Sequence, residues 1–207
     1  MAKPVLYYCP RTRAETAMWM NEELGGVCDL KIVNLKTGDQ KKPEFLKINP
    51  MGKLPALVHD GVAVTESAAI CAYLADAFPQ KGFAPASNDP KRGAYYRWMF
   101  FAPSCVEPMM LDRLSNTKRE NPVSAGHGTE ADVLAALKSA LANGPYILGD
   151  KISAADIVLG STLNFAMMFG AVDKQEPFIS YVERLTARPA FKKAQETSAK
   201  YAAELGF

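Results

Sequence analysis

The sequence predicts two domains of different class, an α/β domain followed by an all-α domain. Three observations carry this. Residues 5–33 run through strand, helix and strand patterns, residues 54–78 read as a hairpin leading into a helix, and from residue 90 onward each periodic segment is helical. A strand, helix and strand in so short a span require a parallel pair joined by a right-handed crossover.

The first strand, Val5–Tyr8, is β-rich and stops at Cys9-Pro10. From Arg13 the residues Ala14, Ala17, Met18, Met20 and Leu24 recur at helical spacing, and Gly25-Gly26 supplies a C-terminal stop. Leu30–Val33 is the second strand. The polar, lysine-rich stretch NLKTGDQKKPEFLKI has one apolar anchor, Phe45-Leu46, and reads as a loop with a short helix. Asn49-Pro50-Met51-Gly52 is a turn signal. Leu54–Val58 and Val62–Val64 are strands joined by an Asp60-Gly61 hairpin turn. Thr65-Glu66-Ser67 then opens an apolar helix, Glu66–Phe78. The resulting order is thioredoxin-like and occupies residues 1–78.

Residues 79–88, within PQKGFAPASND, lack an apolar period and read as a linker. The second domain spans 89–207. Its first helical pattern, Pro90–Leu114, is dense in Tyr95, Tyr96, Trp98, Phe100, Phe101, Met109 and Met110, and is bent or interrupted at Pro103 and Pro108. Core packing accounts for most of these side chains, and together they offer an apolar wall. A polar loop is expected over 116–128 and a helix over 129–142. Ser153 and Asp156 form a capping-box pair ahead of a helix, Ala154–Phe169, that is apolar nearly all round. Phe178–Thr186 and Pro189–Leu205 supply the last helices.

The 207 residues carry a net charge of only +2, and no basic block or aromatic-interleaved basic run points to nucleic acid. MAKPVLYYCP is too short in apolar residues for a signal peptide, and no apolar run approaches the roughly 20 residues of a membrane span. A cytoplasmic location with no membrane association is expected. Cys9, Cys28, Cys71 and Cys105 form no C-x-x-C pair, and only His59 and His127 could join them. Reduced thiols and no metal are expected.

Two places carry chemistry, and the first is the stretch Asn49–Ser67. At Pro55 an X-Pro bond is where a cis peptide is accessible, and a cis bond would turn the N–H and C=O of Leu54 outward to pair with an extended, peptide-like ligand. At Glu66-Ser67 the N–H groups of a helix start receive a carboxylate, and the two side chains suit the α-carboxylate and α-amine of an amino acid. The plainer reading is an edge-strand proline and an ordinary capped helix. The second place is the turn Tyr8–Arg13, where a hydroxyl or thiol lies near free backbone N–H groups that favour a thiolate. Thr12 and Cys9 compete for that role. Arg11 and Arg13 would favour an ionised sulfur, or else form a solvated charge pair with Glu15. Of Tyr7 and Tyr8, one faces the core and one the other side of the sheet.

The string NPMGKLPALVHDGVAVTESAAICAYLAD closely resembles the N-P-x-G-x-V/L-P-x-L and E-S-x-A-I-x-x-Y-L run of cytosolic glutathione transferases. YYCPRTRAETAMWMNEELG resembles the YYSPGSRSxRVLWMLEELG form of many bacterial members, and YILGDKISAADIVLG resembles the family's y-l-x-G-x-x-f-S-x-A-D-I folding element. The resemblance covers essentially the whole chain. It implies a glutathione transferase fold, a homodimer joined through the Glu66 and Pro90 helices, a detoxification role, and transfer of glutathione to a hydrophobic electrophile. Leu54 with Pro55 would pair with the cysteinyl backbone of glutathione, Glu66 and Ser67 would hold the γ-glutamyl end, and Lys53, or Lys41 or Lys42, would stand near the glycyl carboxylate. Thr12 falls on the serine that faces the sulfur in theta-like members, with Arg13 beside it. A beta-type cysteine is absent, because Arg13 stands in its place. Cys9 resembles the Cys-Pro of glutaredoxins and the omega class, which would make the protein a thiol transferase or peroxidase. A non-catalytic glutathione-binding or regulatory protein is the third reading.

Overall fold

The computed structural model describes residues 2–119 and 121–207; Met1, and Glu120 within the loop expected over 116–128, lie outside it. The chain forms two compact units. One runs to Lys81 and takes in Ala187–Phe207, and the other is Gly82–Thr186.

The first unit is built on a four-stranded sheet ordered β2-β1-β3-β4, with β1 at Val5–Tyr8, β2 at Asp29–Ile32, β3 at Ala56–His59 and β4 at Val62–Thr65. β1 runs parallel to β2, with Val5 opposite Asp29, and antiparallel to β3, with Leu6 opposite Leu57. The two-residue turn between β3 and β4 places Asp60 at φ 48° and Gly61 at φ 81°, the paired positive values a tight hairpin requires. α1 (Ala14–Glu23) packs on β1 and on α3 (Ser67–Ala77), and burial of Leu6, Met18, Leu57, Ile70 and Leu74 holds that layer together. Each such side chain contributes about 1.5–3 kcal/mol. Because side chains alternate along β1, Tyr7 faces the other side, where α2 (Pro43–Leu46) brings Phe45 against Val33, Ala56, Ile48 and Leu54.

The second unit is helical: α4 (Lys91–Phe101), α5 (Glu107–Leu114), α6 (Glu130–Leu141), α7 (Ala154–Met168) and α8 (Phe178–Thr186). α4 and α5 are joined without a break by a wider π-type stretch, Ala102–Val106. Pro103 lies there, and the wider turn absorbs its missing N–H. Pro108 follows directly after this stretch, so the same widened turn accommodates its ring and its missing N–H. α7 is the central helix, with Ala154, Ala155, Ile157, Leu159, Leu163 and Ala166 fully buried. Its start is fixed by Asp156, whose Oδ1 accepts from the Ile147 N–H (2.7 Å) and the Tyr181 hydroxyl (2.9 Å), while Oδ2 accepts from the Ser153 N–H (2.8 Å) and hydroxyl (2.9 Å). A second cis peptide, Glu176-Pro177, precedes α8 and was not anticipated from the sequence.

The last helix, α9 (Pro189–Leu205), groups with the first unit by its contacts, whereas the linear division expected from the sequence runs 89–207. The reason is the outer face of α1. The Trp19 ring meets Phe191 edge-on at 5.0 Å, Glu23 accepts a forked pair of bonds from Arg188 at 2.6 and 2.7 Å, and Glu22 pairs with Lys193 at 2.6 Å. Glu15 accepts from the Ser198 hydroxyl. Hydrophobic periodicity carries no sign of these acid partners.

Candidate functional site

The turn between β1 and α1 begins at the sheet's buried edge. Cys9 is fully buried and Pro10 follows it inside, after which Arg11 surfaces with φ 58°, in the left-handed region that side chains other than glycine's rarely adopt. Thr12 closes the turn. Its hydroxyl donates to the Cys9 carbonyl at 2.8 Å and accepts from the Ala14 N–H at 3.1 Å, so it caps α1 from one residue outside the helix. Its carbonyl accepts from the Glu15 N–H at 3.1 Å. Arg13 is exposed at the helix start and its carbonyl accepts from the Thr16 N–H at 3.3 Å.

The two sulfur candidates stand differently. Burial pushes the Cys9 thiol above its ordinary range, and the nearby Glu15 adds to that push against an opposing Leu35 backbone hydrogen bond. Thr12 is half-buried, on the solvent side of the same turn. Tyr8 is fully buried. Burial first, and Glu15 second, raise its hydroxyl well above the usual tyrosine range, with the Ser198 hydroxyl opposing them. Expected pairing of the Arg11 guanidinium with Glu15 is replaced by a backbone contact: the Arg11 N–H donates to Glu15 Oε1 at 2.8 Å.

Across the sheet edge, the Leu54-Pro55 peptide is cis, and among the described residues neither the N–H nor the C=O of Leu54 joins a backbone hydrogen bond. What fixes this approach is Asn49, a buried side chain read from the sequence only as a turn starter. It donates from Nδ2 to the Lys53 carbonyl at 2.9 Å and accepts the Met51 N–H at 3.1 Å, while the Gly52 N–H closes on its carbonyl at 2.8 Å. Gly52, at φ 62°, is required: a Cβ there would lie 2.7 Å from the Gln40 carbonyl oxygen. Lys41 donates to the Met51 carbonyl at 3.0 Å and Lys42 pairs with Asp39 at 2.7 Å, so both have protein partners; Lys53 is exposed.

Glu66 stands at the start of α3 with φ 70° and ψ 125°, a sparsely populated conformation for any residue with a side chain. This strain was not legible in the Thr-Glu-Ser string. The first N–H groups of this eleven-residue helix have no partner within the helix and receive no side-chain cap from Glu66, and the helix dipole lies behind them. The Ser67 hydroxyl donates to the Arg13 carbonyl at 3.2 Å, which brings the two helix starts together.

In the second unit, Tyr95, Trp98, Met109 and Met110 are buried among the helices, whereas Tyr96 and Phe100 are 43% and 61% exposed and stack at 6.4 Å. Among the described residues no helix is long and apolar enough to cross a membrane.

Residues 3–76 match the glutathione S-transferase N-terminal domain and residues 74–189 its C-terminal domain. Glutathione S-transferase Z2 of Arabidopsis thaliana is 33% identical over 172 residues, 78% of this chain and 76% of that protein. Maleylacetoacetate isomerase of Rattus norvegicus is 30% identical over 199 residues, 92% and 91% of the two chains. The structure of a glutathione transferase homologue from Sulfitobacter, solved with bound glutathione, superposes with a TM-score of 0.74 at 26% identity, covering 95% of this chain and 99% of that one. The chain belongs to the glutathione S-transferase family.

Proposed function

We propose that the protein binds glutathione on its first unit and transfers it to a hydrophobic electrophile. The γ-glutamyl carboxylate meets the N–H groups at the start of α3 beside Ser67, Glu66 takes the α-amine, the Leu54 backbone pairs with the cysteinyl residue next to cis-Pro55, and Lys53 faces the glycyl end. The thiol then falls at the Thr12-Arg13 turn. The observation that carries this reading is the bond from the Ser67 hydroxyl to the Arg13 carbonyl, which puts the anion-receiving helix start against the turn that would ionise the sulfur. The Sulfitobacter homologue with glutathione bound supports the ligand.

At the turn the thiol loses its proton to solvent, and the thiolate, stabilised by α1 and by Arg13, or by Thr12 once its hydroxyl turns from the Cys9 carbonyl to the sulfur, attacks an electrophilic carbon. A C–S bond forms and the leaving group departs with its electron pair. The buried, acid-weakened thiol of Cys9 counts against the cysteine-dependent alternative. A homodimer in the cytoplasm, with a detoxification role, completes the proposal.

The likeness to a maleylacetoacetate isomerase along nine-tenths of both chains favours a second reading, in which glutathione is returned rather than consumed. An aryl halide assay and a maleylacetoacetate assay, each followed by the glutathione left over, separate the two. The decisive experiment for the site is a pH titration of thiolate absorbance for glutathione bound to Cys9→Ala protein, with and without Thr12→Ala. A bound thiol ionising well below its free value supports the transferase. No ionisation, or no binding, removes the mechanism. A lowered value that survives Thr12→Ala assigns the role to Arg13 and the backbone N–H groups.

A further inference from the structure

Below the turn lies a carboxylate that the reaction does not use. Glu15 is buried on the first turn of α1, and its two ends close on the turn before the helix: its N–H donates to the Thr12 carbonyl at 3.1 Å, and its Oε1 accepts from the Arg11 N–H at 2.8 Å. The same Oε1 accepts from the buried Ser198 hydroxyl of α9. Arg11 is the residue held at φ 58°. A Cβ-bearing residue resists that conformation, and glycine adopts it freely.

We propose that Glu15, seated on Ser198, is the positioning residue of this turn, clamping the Arg11 N–H so that a non-glycine residue stays left-handed and Thr12 and Arg13 point at the ligand's sulfur. The functional half of this statement rests on the proposed glutathione chemistry; the clamp itself does not. Packing between α1 and α9 does not require it, because Trp19 with Phe191, Glu22 with Lys193 and Glu23 with Arg188 already join those helices. Moreover, the second carboxylate oxygen, Oε2, is buried and makes no hydrogen bond of ordinary geometry among the described residues, and the buried Tyr8 hydroxyl beside Glu15 is held neutral by burial and by that carboxylate. A buried carboxylate short of donors is a poor device for stability alone. The C-terminal helix thereby becomes part of the machinery that shapes the site.

Two readouts test this on the full chain. The first is hydrogen exchange of the Arg11 amide by NMR, without ligand. Glu15→Ala is expected to speed that exchange by about tenfold or more, the scale of losing a hydrogen bond to a charged group, while Glu15→Gln, which keeps an acceptor, stays within about threefold. Ser198→Ala should fall between them. The second readout is the pH profile of glutathione transfer. Glu15→Ala should move it to higher pH, and adding Arg11→Gly should bring it back, because glycine needs no clamp. A merely structural loss at Glu15 would not be rescued this way. Unchanged Arg11 exchange in folded Glu15→Ala, or in Ser198→Ala should the former not fold, overturns the clamp, and failure of Arg11→Gly to restore the profile overturns the positioning role. Should wild-type protein fail to ionise glutathione at all, the proposed function falls while the amide exchange still decides the clamp.

Discussion

The Ser67 hydroxyl and the Arg13 carbonyl, 54 residues apart in the chain, are joined by a 3.2 Å hydrogen bond between the starts of two helices. Ser67 thus has two duties. Its backbone N–H faces the position proposed for a carboxylate, and its side chain ties α3 to the turn where a sulfur would sit. Replacing it with alanine keeps the N–H and removes the tie. Ser67→Ala is expected to raise KM for glutathione about two- to tenfold, the worth of one neutral hydrogen bond, and to lower kcat as well because the turn loosens. Steady-state kinetics at varied glutathione check both, and a rise in KM with kcat unchanged would show that Ser67 only binds.

The cysteines give a pH prediction. Burial pushes the Cys28 thiol up to about 12 and raises Cys9 and Cys71 as well. Between the unfolded value, about 8.5, and these raised values, the folded chain holds protons the unfolded chain has released, so stability falls as pH rises. For Cys28 alone the slope is about 1.4 kcal/mol per pH unit within that window. Urea midpoints should therefore be flat near neutrality and decline from about pH 9. In the native state iodoacetamide should label the half-buried Cys105 first, with Cys9, Cys28 and Cys71 reacting only after unfolding. Rapid labelling of Cys9, read by peptide mass spectrometry, would revive the cysteine-dependent reading.

Much of this fold was legible because its signals are local. The Asp60-Gly61 turn, the Gly25-Gly26 stop and the Ser153–Asp156 capping pair each need only a few residues, and the structure has them at φ 48° and 81°, φ 93° and 75°, and 2.8 Å. The cis bond before Pro55 was only one option left open by the local sequence, and the family resemblance was what favoured it. What stayed hidden is long-range and polar. No hydrophobic period says that Glu15, Glu22 and Glu23 will find Ser198, Lys193 and Arg188, and so the return of α9 to the first unit was invisible. Likewise, backbone strain at Arg11 and Glu66 has no composition cue, since neither is a residue that favours positive φ.

That strain at Glu66 has a measurable trade-off. A side chain held at φ 70° and ψ 125° costs on the order of 1–3 kcal/mol. Glycine relieves most of this but loses about 0.5–1 kcal/mol of its own backbone freedom. Glu66→Gly is therefore expected to stabilise the fold by about 0.5–2 kcal/mol while weakening glutathione binding through loss of the carboxylate that meets the α-amine. A rise in the urea midpoint with a higher Kd by calorimetry is the predicted pair. A stable variant that binds as before would remove Glu66 from the site and leave its strain without a function.

The second unit offers the sharpest test of stability. Asp156 is buried with four donors converging on its two oxygens: the Ile147 and Ser153 N–H groups and the Tyr181 and Ser153 hydroxyls. Removing the carboxylate strands all four in a dry interior, and each abandoned donor costs about 1–3 kcal/mol before the structure relaxes. Asp156→Ala should destabilise the protein by about 3–5 kcal/mol, and Ser153→Ala, which gives up one hydroxyl donor and the helix cap, by about 1 kcal/mol. Asp156→Asn should lie between, because its amide keeps one acceptor oxygen but turns an N–H₂ toward two donors. Since these contacts lie wholly within the helical unit, the loss should appear in its helical signal on urea unfolding, with little change in KM for glutathione. A near-silent Asp156→Asn would mean that the carboxyl is already neutral in the folded state.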